Sequence, residues 1–136
     1  PFNDLYGYAH GDQLPLRVAP DLHDAASPHL DFVGHVGGDD FVVVLRSADW
    51  RERLRRIVLE FDACVPAFYR EEHRVAGGIE ALDRYGQRRR FPFVSMSIAV
   101  IDPLAHGLRT TADVSSHLQV IKREAKTRPG SCVVYA

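Results

Sequence analysis

The sequence predicts an α+β domain with a mainly antiparallel central sheet flanked by helices. Three observations carry this. Runs rich in β-branched residues come in consecutive pairs, glycine turns separate the members of each pair, and stretches of helical periodicity lie between the pairs. The expected order is helix, strand, strand, helix, strand, strand, helix, strand, with a hairpin wherever strands are consecutive. A chain of 136 residues with 46% hydrophobic and 26% charged positions has the size and mix of one domain, so residues 1–136 are read as a single unit.

Pro1-Phe2-Asn3-Asp4 opens without an initiator Met and without a leading helix or strand pattern, as expected of a domain truncated at its N-terminus from a longer polypeptide. Between Gly11 and about Ala26, Leu14, Val18 and Leu22 recur at helical spacing. Pro15 is tolerable in a first turn, but Pro20 is expected to kink or end the helix at a cost of about 3 kcal/mol. Asp31 to Val36 and Phe41 to Leu45 flank Gly37-Gly38-Asp39-Asp40 and predict a hairpin, because glycine supplies the positive φ that such turns need. Trp50, Leu54, Ile57, Val58, Phe61, Val65 and Phe68 line one face of a long helix. Its other face carries Arg51, Arg53, Arg55 and Arg56 and reads as solvated.

A second hairpin is expected from Gly77 to Asp83, a turn at Tyr85-Gly86-Gln87, and one long strand from Phe91 to Val100, with Arg88, Arg89 and Arg90 exposed beside the turn. The last helix opens at a capping box, Thr110-Thr-Ala-Asp113, carries Val114, Leu118, Ile121 and Ala125 on one face, and stops before Pro129-Gly130. Ser131 to Tyr135 is a closing strand.

A formal net charge of -1 provides no field to draw nucleic acid or an anionic membrane, and no aromatics interleave with the helix arginines as a stacking platform requires. No apolar run approaches the roughly 18 residues of a membrane span, and no signal core is present, so a cytoplasmic domain is expected. Cys64 and Cys132 lack zinc-ligand spacing and are expected to be buried small hydrophobes.

Asp39 and Asp40 are adjacent carboxylates on a glycine turn. Such a pair needs a cation to offset its repulsion, and hard oxygen donors suit Mg²⁺ together with substrate phosphates. The same four residues also make a good exposed hairpin turn. Asn3 and Asp12 surround a glycine-punctuated turn, where an amide can meet a purine edge and a carboxylate can accept from guanine N1 and N2 hydrogens. Helix capping is their alternative role. Lys122 and Lys126 either bring ammonium groups to phosphates or compensate a helix dipole.

Taken in order, these segments resemble the GGDEF domains, the diguanylate cyclase family. Gly37-Gly38-Asp39-Asp40-Phe41 resembles the signature, and Asn3-Asp4 with Gly7 and Gly11-Asp12 resembles the family's FKxxNDxxGHxxGD segment. Val94 to Ala99 is similar to its vTvSiG strand, and Ala125-Lys126 with Pro129-Gly130-Ser131 to its late AKxxGRN turn. The hairpin from Gly77 to Pro92 is similar to a subgroup found beside EAL and CBS domains.

The resemblance implies a cyclase-like domain with a ferredoxin-like core. In it, two GTP molecules meet in a head-to-tail homodimer and condense to cyclic di-GMP with Mg²⁺ (or Mn²⁺) as cofactor. Carried over by position, it implies Asp39 and Asp40 as catalytic metal ligands, Asn3 and Asp12 as guanine readers, Gly37 and Gly38 as the phosphate approach, and Lys126 as a phosphate contact. A catalytically degenerate module that binds GTP, or dimerises, to regulate an attached signalling domain is the competing reading.

The chain also departs from the family pattern. Asp40 stands where the family usually has Glu, His35 replaces a common Arg, and the family's first strand with its metal-sharing Asp would lie upstream of Pro1. The second phosphate cation is replaced by Gly130 or Ser131, leaving Arg128 as a substitute. The inhibitory RxxD motif reads Pro28-His29-Leu30-Asp31, so only Asp31 is retained and tight inhibitory binding of cyclic di-GMP is not expected.

Overall fold

The computed structural model describes residues 2–7, 13–27, 29–83 and 85–136. It divides into two compact units, Pro1–Phe93 and Val94–Ala136.

The first unit holds α1 (Phe2–Tyr6), α2 (Gln13–Ala25), β1 (Phe32–Gly37), β2 (Asp40–Val44) and α3 (Trp50–Cys64). A 3-10 turn (Val65–Phe68), α4 (Glu71–Ala76), β3 (Ile79–Leu82) and β4 (Arg88–Phe91) follow. The second unit holds β5 (Ser97–Val100), α5 (Thr111–Ala125) and β6 (Cys132–Tyr135). Helices and strands mix in both units, and among the described residues two of the three ladders are antiparallel, so the chain is α+β.

Periodicity explains which faces are buried. Val18 and Leu22 on α2, which packs against α3, and Leu54, Ile57 and Phe61 on α3 are all buried. The apolar stripe continues into the 3-10 turn through Val65, 1% exposed. The expected single long helix ends at Cys64 because Pro66 opens the tighter turn. Cys64 and Cys132 form no disulfide among the described residues and are half-buried, not fully buried as expected.

Three further differences have local causes. Pro20 lies inside α2, which nevertheless runs on to Ala25. Val18 and Leu22 bracket it on the buried face, and that burial offsets one lost helical hydrogen bond. An N-terminal helix, α1, exists where no leading pattern was read, because five residues are too few to display a period. The long strand expected from Phe91 to Val100 is two strands, β4 ending at Phe91 and β5 starting at Ser97. Pro92 lacks the N–H a ladder needs.

β3 pairs with β4 as a hairpin in which Glu80 faces Arg90 and Leu82 faces Arg88. Arg88, Arg89 and Arg90 are exposed, as the sequence suggests. β5 instead pairs with β6 in parallel, Ser97 opposite Cys132 and Val100 opposite Tyr135, and α5 is the connection that parallel pairing requires. The core of this unit is Ile121, Ala125 and Val134, with Ala99, Ile101 and Cys132 packed against it.

Candidate nucleotide and metal site

β1 and β2 run antiparallel from Phe32 opposite Val44 to Gly37 opposite Asp40, with a bulge between His35 and Gly37. Gly38 and Asp39 form the tip. Gly37 has φ +150° and Gly38 φ +57°, while Asp39 keeps a negative φ. The turn is therefore not type I′, which needs positive φ at both central residues. Among the described residues nothing lies within 4 Å of where a Cβ would stand on either glycine, so glycine is required here by backbone conformation and the described surroundings leave that backbone open.

The Asp39 side chain sits exposed on the tip, and Asp40, the first residue of β2, is half-buried. His35 braces the turn, a role its sequence position did not reveal. Its Nε2–H donates to the Gly38 carbonyl at 2.9 Å, and its ring stacks on the opposite Phe41 with centroids 4.7 Å apart. The bulge between His35 and Gly37 turns the ring toward the tip, and no residue pattern in the sequence announces it.

Asp31, the residue retained from the RxxD pattern, faces the protein. Oδ2 accepts the Ser27 N–H at 2.8 Å and Oδ1 the Arg46 N–H at 2.7 Å, while Arg53 Nη1 reaches Oδ2 at 3.2 Å. The side chain has no exposed surface. The Arg46 and Ser27 backbone donors hold this carboxyl below the usual carboxylate range, and the Arg53 charge adds to them. Arg53 also bonds Asp49 at 3.0 Å, and the Asp49 carboxyl is likewise lowered, chiefly by that guanidinium. Asp31 thus ties the end of the loop after α2, the base of the hairpin and α3 together.

Asn3 lies on α1 with its side chain exposed, and its carbonyl accepts the Gly7 N–H at 2.8 Å. Asp12 and Pro28 lie outside the described residues. Lys126 is the C-cap of α5 in the second unit, exposed, and its N–H donates to the Lys122 carbonyl at 3.0 Å. Arg128, the candidate second cation, is held by Glu124 at 2.6 Å on that helix end. In the first unit the structure places the Gly37–Asp40 turn, Asp31 and Asn3, while Lys126 belongs to the second.

A family model described as diguanylate cyclase, GGDEF domain, matches residues 1–82. No curated protein and no solved structure matches the chain. The matched span covers α1, the signature hairpin and α3 and ends with β3, so the segments at Val94–Ala99 and Lys126 fall beyond it. With 82 of 136 residues inside that one family model, and its signature turn built as an open glycine hairpin carrying two carboxylates, the chain belongs to the GGDEF family of diguanylate cyclase domains.

Proposed function

We propose that this domain binds GTP with Mg²⁺ (or Mn²⁺) at the Gly37–Asp40 turn and, as a head-to-tail homodimer in the cytoplasm, condenses two GTP to cyclic di-GMP. The supporting observation is the open turn itself, two glycines with positive φ and unobstructed backbone followed by two carboxylates. Mg²⁺ typically takes one or two carboxylates and completes its shell with water and phosphate oxygens, and the Asp39–Asp40 donor set fits that demand. Among the described residues no group of three or more His, Cys, Asp or Glu is placed to hold a metal.

In this reading Asp39 and Asp40 hold the ion, which when bound neutralises phosphate charge and lowers the pKa of the attacking hydroxyl. Gly37 and Gly38 let the phosphates reach backbone N–H groups. Asn3 and Asp12 read the guanine edge, and Lys126 contacts the phosphates. Each 3′-oxygen bonds to the α-phosphorus of the opposite GTP. The bond from that phosphorus to the bridging oxygen breaks, pyrophosphate leaves, and the hydroxyl proton passes to solvent.

One observation favours a second reading, a catalytically degenerate module that binds GTP, or dimerises, to regulate an attached signalling domain such as EAL or CBS. Asp40 is one methylene shorter than the Glu usual in the family, which draws back one metal oxygen. The test is incubation of the full-length protein with GTP and Mg²⁺, following pyrophosphate and cyclic di-GMP by chromatography. Product that is lost in Asp39→Ala supports the cyclase. GTP binding without product, with product appearing in Asp40→Glu, supports the degenerate module.

A further inference from the structure

We infer that Tyr6 is a positioning residue for guanine recognition, its hydroxyl setting the pose of α1 and through it the side chain of Asn3. The inference rests on the reading of Asn3 as a guanine contact.

A five-residue helix has no stability of its own, so whatever holds α1 decides where Asn3 points. Gly7, at φ +83°, ends the helix. Phe2 and Tyr6 are one turn apart and share a face. Phe2 is buried, with its ring 4.9 Å from Tyr6 and 5.0 Å from Tyr69, and Tyr6 meets Tyr69 edge-on at 5.8 Å. Tyr69, itself 4% exposed, also contacts Phe93 at 4.5 Å, so the platform beneath α1 is fixed.

Ring packing of this kind holds a helix down but lets it rotate and slide, because apolar contact is weakly directional. Hydrogen bonds are directional. The Tyr6 hydroxyl accepts the Arg70 backbone N–H at 3.0 Å and bonds to His73 Nδ1, and the Arg70 guanidinium lies 5.5 Å from the Tyr6 ring centroid. These polar tethers link α1 to the N-cap residue of α4 and to α4 itself, 64 and 67 residues away in sequence. Asn3 follows Phe2 by one residue, about 100° around the helix, and is exposed. Removing the hydroxyl frees that rotation while leaving the aromatic contacts in place.

The experiment measures binding of 3′-deoxy-GTP and 3′-deoxy-ATP with Mg²⁺ to the full-length protein by calorimetry. These nucleotides lack the attacking hydroxyl and cannot condense. Tyr6→Phe is expected to weaken 3′-deoxy-GTP about 5- to 10-fold, the scale of one or two net hydrogen bonds, and to leave 3′-deoxy-ATP unchanged, so that discrimination falls. In an Asn3→Ala background the same substitution should have no further effect. His73→Leu, which keeps Tyr6 intact, should reproduce the loss, and His73→Asn, which retains an acceptor, should restore it.

Unchanged 3′-deoxy-GTP affinity in Tyr6→Phe, or an equal loss for both nucleotides, overturns the inference while the guanine reading stands on the Asn3→Ala loss. Wild-type 3′-deoxy-GTP affinity in Asn3→Ala overturns the guanine reading itself.

Discussion

Asp31 has both carboxylate oxygens engaged inside the protein, on two backbone N–H groups and on Arg53. Its folded pKa is depressed, so its contribution to stability is fully present above the unfolded value of about 3.9 and is lost as pH falls through the lower folded value. Asp31→Asn should therefore lower the melting temperature at pH 7 and narrow the gap to wild type below about pH 4, which thermal unfolding across that range reads directly. Equal melting curves at pH 7 would contradict the role. These oxygens are already used, which adds to the missing arginine a second reason to expect no tight inhibitory cyclic di-GMP binding here. The sequence showed the residue and its lost partner. It did not show Arg46 and Arg53, because contacts 15 and 22 residues away depend on how the hairpin base meets α3.

Gly38 is a simpler case at the same scale. At φ +57° a Cβ costs about 1–2 kcal/mol from its own backbone, and no described neighbour adds to the strain. Gly38→Ala should destabilise by about that amount in urea unfolding, and Gly38→Asn by less, since Asn tolerates the left-handed region. The positive φ was legible in the Gly-Gly-Asp-Asp motif. The His35 bond to the Gly38 carbonyl was not, because it depends on the bulge that turns His35 toward the tip.

Among the elements, α5 was the most legible, and its cap explains why. The Thr110 side chain accepts the Asp113 N–H at 3.1 Å and donates to the Asp113 carboxylate at 2.7 Å, so its start is written in four adjacent residues. Thr110→Ala should cost about 1 kcal/mol, measured as an earlier unfolding of the helical signal. Where an element depends on distant partners the sequence reading was weaker. α1 has no period to display, α2 absorbs Pro20 through burial, and the stretch after Phe91 is divided by Pro92. β5 then takes a parallel partner, β6, that no turn signal announces.

For the whole molecule, no described helix is long and apolar enough to cross a membrane, and the GGDEF match supports a module of cyclic di-GMP signalling. The number of turnovers per protomer is the sharpest test of the proposed homodimer. If each condensation needs two domains, specific activity should rise with protein concentration until dimerisation saturates, whereas activity strictly proportional to protein would count against assembly at the site.

The α+β class, the hairpin with its glycine tip and paired carboxylates, the capped last helix and the family are all legible from residues alone, because each is carried by local chemistry: periodicity, turn residues, caps and a short ordered motif. That Asp31 faces inward, that His35 braces the turn, that Tyr6 ties α1 to Arg70 and His73, and that β5 and β6 run parallel becomes visible in the folded chain. Those features are contacts between residues remote in sequence, and packing and backbone geometry select them from many pairings the same residue types permit.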